Sequence, residues 1–205
     1  MLDPALQQIP LVAILRGVKP DEVEAIADSL YAEGFRVIEV PLNSPQALDS
    51  IARLARRMPG DALIGAGTVL SADAVRDVQI AGGRLIVMPH ADVAVIRVAK
   101  ARGLACVPGA ATPTEAFAAL QAGADALKLF PAELVTPPVV KAMRAVLPKE
   151  LRLLPVGGIT PETMADFRRA GASGFGLGSA LYAPGLDAAE VAARAKAFVQ
   201  AWRTY

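Results

Sequence analysis

Ala126-Leu127-Lys128-Leu129-Phe130-Pro131-Ala132-Glu133 sets a lysine inside a short apolar run bounded by Asp125 and Pro131. The run predicts a buried strand, in which alternation puts Ala126, Lys128 and Phe130 on one face and Leu127 and Leu129 on the other. Desolvating an ammonium is costly unless the group is paired or gives up its proton. A lysine without its proton is a nucleophile towards carbonyls and forms a Schiff base. The plain alternative is a lysine at a strand end, snorkelling to solvent or paired with a carboxylate. The surrounding chain has to choose between them.

Outward from this strand, apolar β-rich pieces alternate with amphipathic alanine-rich ones. Upstream the expected strands are Leu11–Arg16, Arg36–Val40, Leu63–Thr68, Leu85–Met88 and Leu104–Val107; downstream they are Arg152–Val156 and Gly174–Gly178. Helices are expected over about 20–33, 45–57, 71–81, 93–101, 112–123, 138–146 and 188–202, with one more starting at Thr160 and Pro161. Gly34 stops the first; Ser71, Thr112 or Thr114, and Thr160 are expected caps. Eight strand–helix units in 205 residues predict an α/β chain folded as one compact (β/α)8 TIM barrel, a single domain over residues 1–205. An open doubly wound sheet would carry a glycine-rich dinucleotide turn after its first strand, and Arg16-Gly17-Val18-Lys19 lacks the second and third glycines.

Composition removes several functions. Hydrophobic residues make up 54% and charged residues 20%, enough for a large core, and the formal charge of +1 leaves no footprint for nucleic acid or an anionic membrane. Mean hydropathy is +0.41, yet no apolar run reaches the roughly 18–20 residues of a membrane span. Met1-Leu2-Asp3-Pro4 does not read as a secretory leader, so a cytoplasmic protein is expected. One cysteine, Cys106, and one histidine, His90, argue against a disulfide and against a metal site built on thiolates or imidazoles.

In a barrel of this kind, polar residues at strand C-termini mark the active site. Arg16, Glu39, Thr68 and Lys128 hold such places, and alternation pairs Ile14 with Arg16, Val37 with Glu39 and Ala66 with Thr68. All four are expected at one mouth. Singly each has a dull explanation: Arg16 in an ion pair, Glu39 as a structural partner of Lys128, Thr68 as a cap. Two glycine turns, Val156-Gly157-Gly158-Ile159-Thr160 and Gly178-Ser179-Ala180-Leu181, follow the last two strands, where barrels bind phosphate on backbone N–H groups. Plain tight turns with positive φ are the alternative there.

Five segments, in order along nearly the whole chain, resemble the KDPG/KHG class I aldolases: Ala13–Gly17, Ile38–Ser44, Gly65–Leu70, Leu127–Glu133 and Val156–Ile159. The resemblance implies an aldehyde-lyase needing no metal or organic cofactor, with Lys128 as Schiff-base nucleophile and Glu39 as acid–base through a water. It implies Arg16 and Thr68 on the substrate carboxylate, Phe130 shielding the lysine, and Gly157, Gly158, Gly178 and Ser179 on the phosphate. Where the phosphogluconate branch has Thr-Leu-Arg-Thr, this chain has Pro41-Leu42-Asn43-Ser44, and Val156 stands where that branch has threonine. Both departures resemble the branch that acts on the galactonate epimer. They imply cleavage of 2-dehydro-3-deoxy-6-phosphogalactonate to pyruvate and D-glyceraldehyde 3-phosphate, a step of galactonate catabolism, with phosphogluconate or dual specificity as the alternative. Valine cannot hydrogen-bond a C4 hydroxyl as threonine can. The resemblance further implies a homotrimer. Three rivals remain: a metal-dependent aldolase, short of ligands here; a phosphate-binding isomerase or epimerase, needing no buried lysine; and a non-catalytic sugar-phosphate sensor.

Overall fold

The computed structural model describes residues 2–204. Its strands are β1 (Leu11–Ile14), β2 (Val37–Pro41), β3 (Leu63–Gly67), β4 (Leu85–Val87), β5 (Ala105–Val107), β6 (Gly109–Ala110), β7 (Ala126–Leu129), β8 (Arg152–Pro155) and β9 (Phe175–Leu177). All pairings between them are parallel. They form a six-stranded sheet in the order β5-β4-β3-β2-β1-β9 and a three-stranded sheet in the order β6-β7-β8. The expected strand Leu104–Val107 appears as β5, and Pro108, which has no N–H to donate, separates it from β6, a short strand that was not expected. Backbone contacts cross both seams between the sheets. On one side Asp125 N donates to Cys106 O (3.0 Å) and Lys128 N to Pro108 O (2.9 Å); on the other, Val156 bridges Gly176.

The helices are α1 (Leu2–Gln8), α2 (Val23–Ala32), α3 (Ala47–Arg57), α4 (Ala72–Ile80), α5 (Val93–Ala101), α6 (Pro113–Gln121), α7 (Pro137–Arg144), α8 (Met164–Arg169) and α9 (Ala188–Thr204). None is long and apolar enough to cross a membrane. Ser71 caps α4 by accepting from Ala74 N, and Thr112 forms a capping box with Glu115 on α6. Gly34, at φ 105, closes α2. The Thr160 cap is a correction. α8 begins at Met164 behind Thr163, whose hydroxyl accepts from Thr160 N and donates to Thr160 O. A local turn takes both groups and delays the helix.

Two apolar clusters follow the alternation along the strands. Ala13, Ile38, Ile64, Leu127, Leu129 and Leu153 pack outward, with Ile26, Leu54 and Phe198 of the helices. Val12, Val37, Leu63, Leu85, Val107, Ala126 and Leu154 pack inward, together with Leu2, Ala5 and Leu6 of α1. α1 was not among the expected helices. Its apolar residues at i, i+3 and i+4 floor the inner cluster, and tertiary packing accounts for a helix this short.

Candidate active site

Glu39 and Lys128 sit one alternation above that inner cluster, on β2 and β7. They are 1% and 6% exposed and line one small interior cavity with Val12, Leu85, Leu154 and Leu2 of the floor. Burial pushes the Glu39 carboxyl up to about 7, against the pull of Lys128, Arg16 and the Gly67 backbone. Burial likewise pushes Lys128 below the ordinary lysine value; Glu39 opposes that shift and Arg16 adds to it. Lys128 Nζ lies 4.7 Å from the centroid of the Phe130 ring. Glu39 Oε2 is buried without a hydrogen-bond partner. Such an atom costs stability. The cluster holds a depressed lysine and a carboxyl that titrates near neutrality, the pair that proton-coupled carbonyl chemistry needs.

Arg16 lies two residues past β1 and is exposed. With Lys128 and Val156 it lines a cleft of about 310 Å³ that reaches Gly157, Gly158, Gly178 and Ser179. Gly157 and Gly158 have φ 116 and 59, so their turn needs glycine for its backbone alone. Gly178 differs. It has no positive φ, and a Cβ there would meet nothing within 4 Å, so neither conformation nor packing within the chain demands a glycine. Leu181 N and Tyr182 N both donate to Gly178 O, which holds this turn at the cleft wall. Val156, 7% exposed, packs against Gly176, where a side chain would collide with it.

Thr68 departs from the expected alternation. Ala66 packs in the outer cluster, while the facing positions on β3 are Gly65 and Gly67, so Ala66 and Thr68 do not form an inward pair. The strand ends at Gly67, and Thr68 turns the chain at φ 55. That region is disfavoured for a β-branched residue and belongs to sites under constraint. Thr68 is not among the residues lining the Arg16 cleft.

Three residues escaped selection from the sequence. A Cβ on Gly67 would overlap the Glu39 carboxylate, so this glycine makes the space the acid occupies. Asn43 Oδ1 accepts from Arg16 Nη1 at 2.7 Å, and Ser44 Oγ accepts from Gly17 N at 2.9 Å. Gly67 stands in the quoted Gly65–Leu70 segment and Asn43 and Ser44 in Pro41–Ser44, but only the fold shows what each touches.

Residues 2–198 match the family model for KDPG and KHG aldolase. The chain belongs to the KDPG and KHG aldolase family. It is similar to a probable 2-dehydro-3-deoxy-6-phosphogalactonate aldolase of Rhizobium meliloti (strain 1021), 47% identical over 94% of this chain and 91% of the relative. It is 46% identical to the 2-dehydro-3-deoxy-6-phosphogalactonate aldolase of Escherichia coli (strain K12), over 96% of each chain. Likeness to the 2-dehydro-3-deoxy-phosphogluconate aldolase of Zymomonas mobilis is lower, 34% over 81% of this chain and 79% of that one. Among solved structures, one described as native KDPGal superposes with a TM-score of 0.94 at 46% identity, covering 96% of this chain and 95% of the other.

Proposed function

We propose that this chain is a class I aldolase that cleaves 2-dehydro-3-deoxy-6-phospho-D-galactonate to pyruvate and D-glyceraldehyde 3-phosphate. The observation that carries the reading is Lys128, buried in β7 below its ordinary pKa, in one cavity with a carboxyl raised to about 7. The greater identity to the phosphogalactonate relatives than to the phosphogluconate one supports the choice of epimer.

Neutral Lys128 Nζ adds to the C2 ketone, and loss of water from the carbinolamine leaves a protonated imine. Glu39, through a water, takes the C4 hydroxyl proton. The C3–C4 bond breaks, its electrons pass into the iminium to form an enamine, and the aldehyde departs. Glu39 returns the proton to C3, and water hydrolyses the imine to release pyruvate and restore the lysine. Arg16, whose guanidinium suits a carboxylate, holds C1; the family resemblance gives Thr68 a share in that carboxylate, although it stands outside the lining of the Arg16 cleft. Phe130 shields the imine from water. Gly157, Gly158, Gly178 and Ser179 hold the phosphate on backbone and hydroxyl donors. Val156 faces C4.

In this reading the two sheets close at their seams into one (β/α)8 barrel and a single domain; the cross-seam backbone bonds support it. A cytoplasmic homotrimer completes the reading and follows the family resemblance. The test is trapping with pyruvate and borohydride, which reduces an imine to a stable secondary amine. Labelling should fall on the peptide holding Lys128, and labelling of another lysine, or of none, sinks the proposal. A coupled pyruvate assay with both C4 epimers then decides the substrate; faster cleavage of the gluconate epimer overturns the branch.

A further inference from the structure

Arg16 lines the cleft beside Lys128, and the group that holds it is neutral. Among the described residues no carboxylate pairs with it; its one side-chain partner is the amide oxygen of Asn43, 2.7 Å from Nη1. The neighbouring bond, Gly17 N to Ser44 Oγ at 2.9 Å with Ser44 buried, ties the same two loops together at the backbone. The turn after β2 therefore grips the turn after β1 twice, once through its backbone and once through the guanidinium. An amide oxygen orients a guanidinium without cancelling its charge. A carboxylate in its place would do both, because charge-assisted pairs are stronger and neutralise the cation. With Nη1 engaged, Nε and Nη2 form the free edge of the fork, the edge suited to a bidentate carboxylate.

We propose that Asn43 is a positioning residue that holds Arg16 by a neutral acceptor, so that the guanidinium meets the substrate's C1 carboxylate pre-oriented and with its charge intact. This rests on the reading of Arg16 as the carboxylate ligand, and the test separates the two. Borohydride trapping is measured against pyruvate concentration, and in parallel with acetone, which has the ketone but no carboxylate. Asn43→Ala removes one neutral hydrogen bond, and the half-saturating pyruvate concentration should rise roughly 2–12-fold. Asn43→Asp neutralises the fork, and the rise should be larger, roughly 10–100-fold. Trapping with acetone should stay at the wild-type level in Asn43→Ala, which leaves the Arg16 charge beside Lys128 in place, and in Asn43→Asp it should change much less than trapping with pyruvate.

Pyruvate saturation within twofold of wild type in both variants overturns the inference. Equal losses with pyruvate and acetone overturn it too, because a carboxylate-specific role cannot weaken a ligand that has none. Arg16→Ala supplies the separation. If it raises the pyruvate requirement while the Asn43 variants do not, only the role of Asn43 fails. If it changes nothing, the Arg16 reading falls and the inference with it.

Discussion

Within the inner face of the strands, one alternation separates two regions of opposite character: Val37 stands below Glu39 on β2, and Ala126 below Lys128 on β7. The lower layer is apolar, closed by Leu2, Ala5 and Leu6 of α1, and its members satisfy one another. The upper layer holds a buried carboxyl with an unpartnered oxygen and a lysine pushed towards neutrality. The lower layer stabilises the chain, whereas the upper one costs stability, the opposition expected where an active site is built. The floor also sets the chemistry above it, since the same exclusion of water moves both pKa values.

The comparison breaks first at Glu39. Glu39→Gln keeps the shape and removes the base, so turnover should fall by about 10²–10⁴ while imine formation survives better, as rapid quench and borohydride trapping would measure. Turnover within a few-fold of wild type would move the proton work to another group.

At the floor the prediction reverses. Leu6 is 1% exposed, and Leu6→Ala should cost about 2–5 kcal/mol in urea unfolding. At a temperature where the variant stays folded, pyruvate should still label Lys128. A stability unchanged by this truncation would show that α1 does not serve as a floor.

Acid–base linkage sharpens the contrast. Glu39 is raised from 4.5 to about 7 by burial, so its folded form favours the proton. The associated stability is complete below pH 4.5 and lost as pH rises through 7, an effect of about 3 kcal/mol. Relative to wild type, Glu39→Gln should therefore gain stability across that window, and Leu6→Ala should not. Wild-type kcat/KM should meanwhile rise with pH through about 7 as the base ionises. A stability difference between wild type and Glu39→Gln that stays flat from pH 4.5 to 8 would contradict the buried-acid account.

The smallest expected effect is at Val156, on the wall of the cleft shared with Arg16 and Lys128. Val156→Thr adds a hydroxyl at nearly constant volume, and one satisfied hydrogen bond should shift the ratio of kcat/KM for the two C4 epimers roughly 2–12-fold towards the gluconate form. An unchanged ratio removes Val156 as a determinant.

The run around Lys128, the strand–helix alternation and the glycine turns were legible because each is local. Period-two burial, helix caps and glycine stops are written within a few residues of where they act. Ser71, Thr112 and Gly34 serve as read for that reason, and Leu127 and Leu129 turn outward as alternation requires. α1 was not legible, because Leu2-Asp3-Pro4-Ala5-Leu6-Gln7-Gln8 is too short to be helical on its own and gains its order from the layer it covers. Thr160 promised a cap, but the local turn with Thr163 took its backbone groups.

By itself the sequence determined which strand carries the lysine, that a carboxylate stands in the second strand, and that glycine turns follow the last two strands. Only the tertiary structure decided that Glu39 and Lys128 share one desolvated cavity and that Gly67 leaves the carboxylate its space. It also decided that Thr68 breaks the alternation of its strand and that Asn43 holds Arg16. Each of these joins residues from different strands or turns, and their distances come from the pairing of the chain rather than from any order along it.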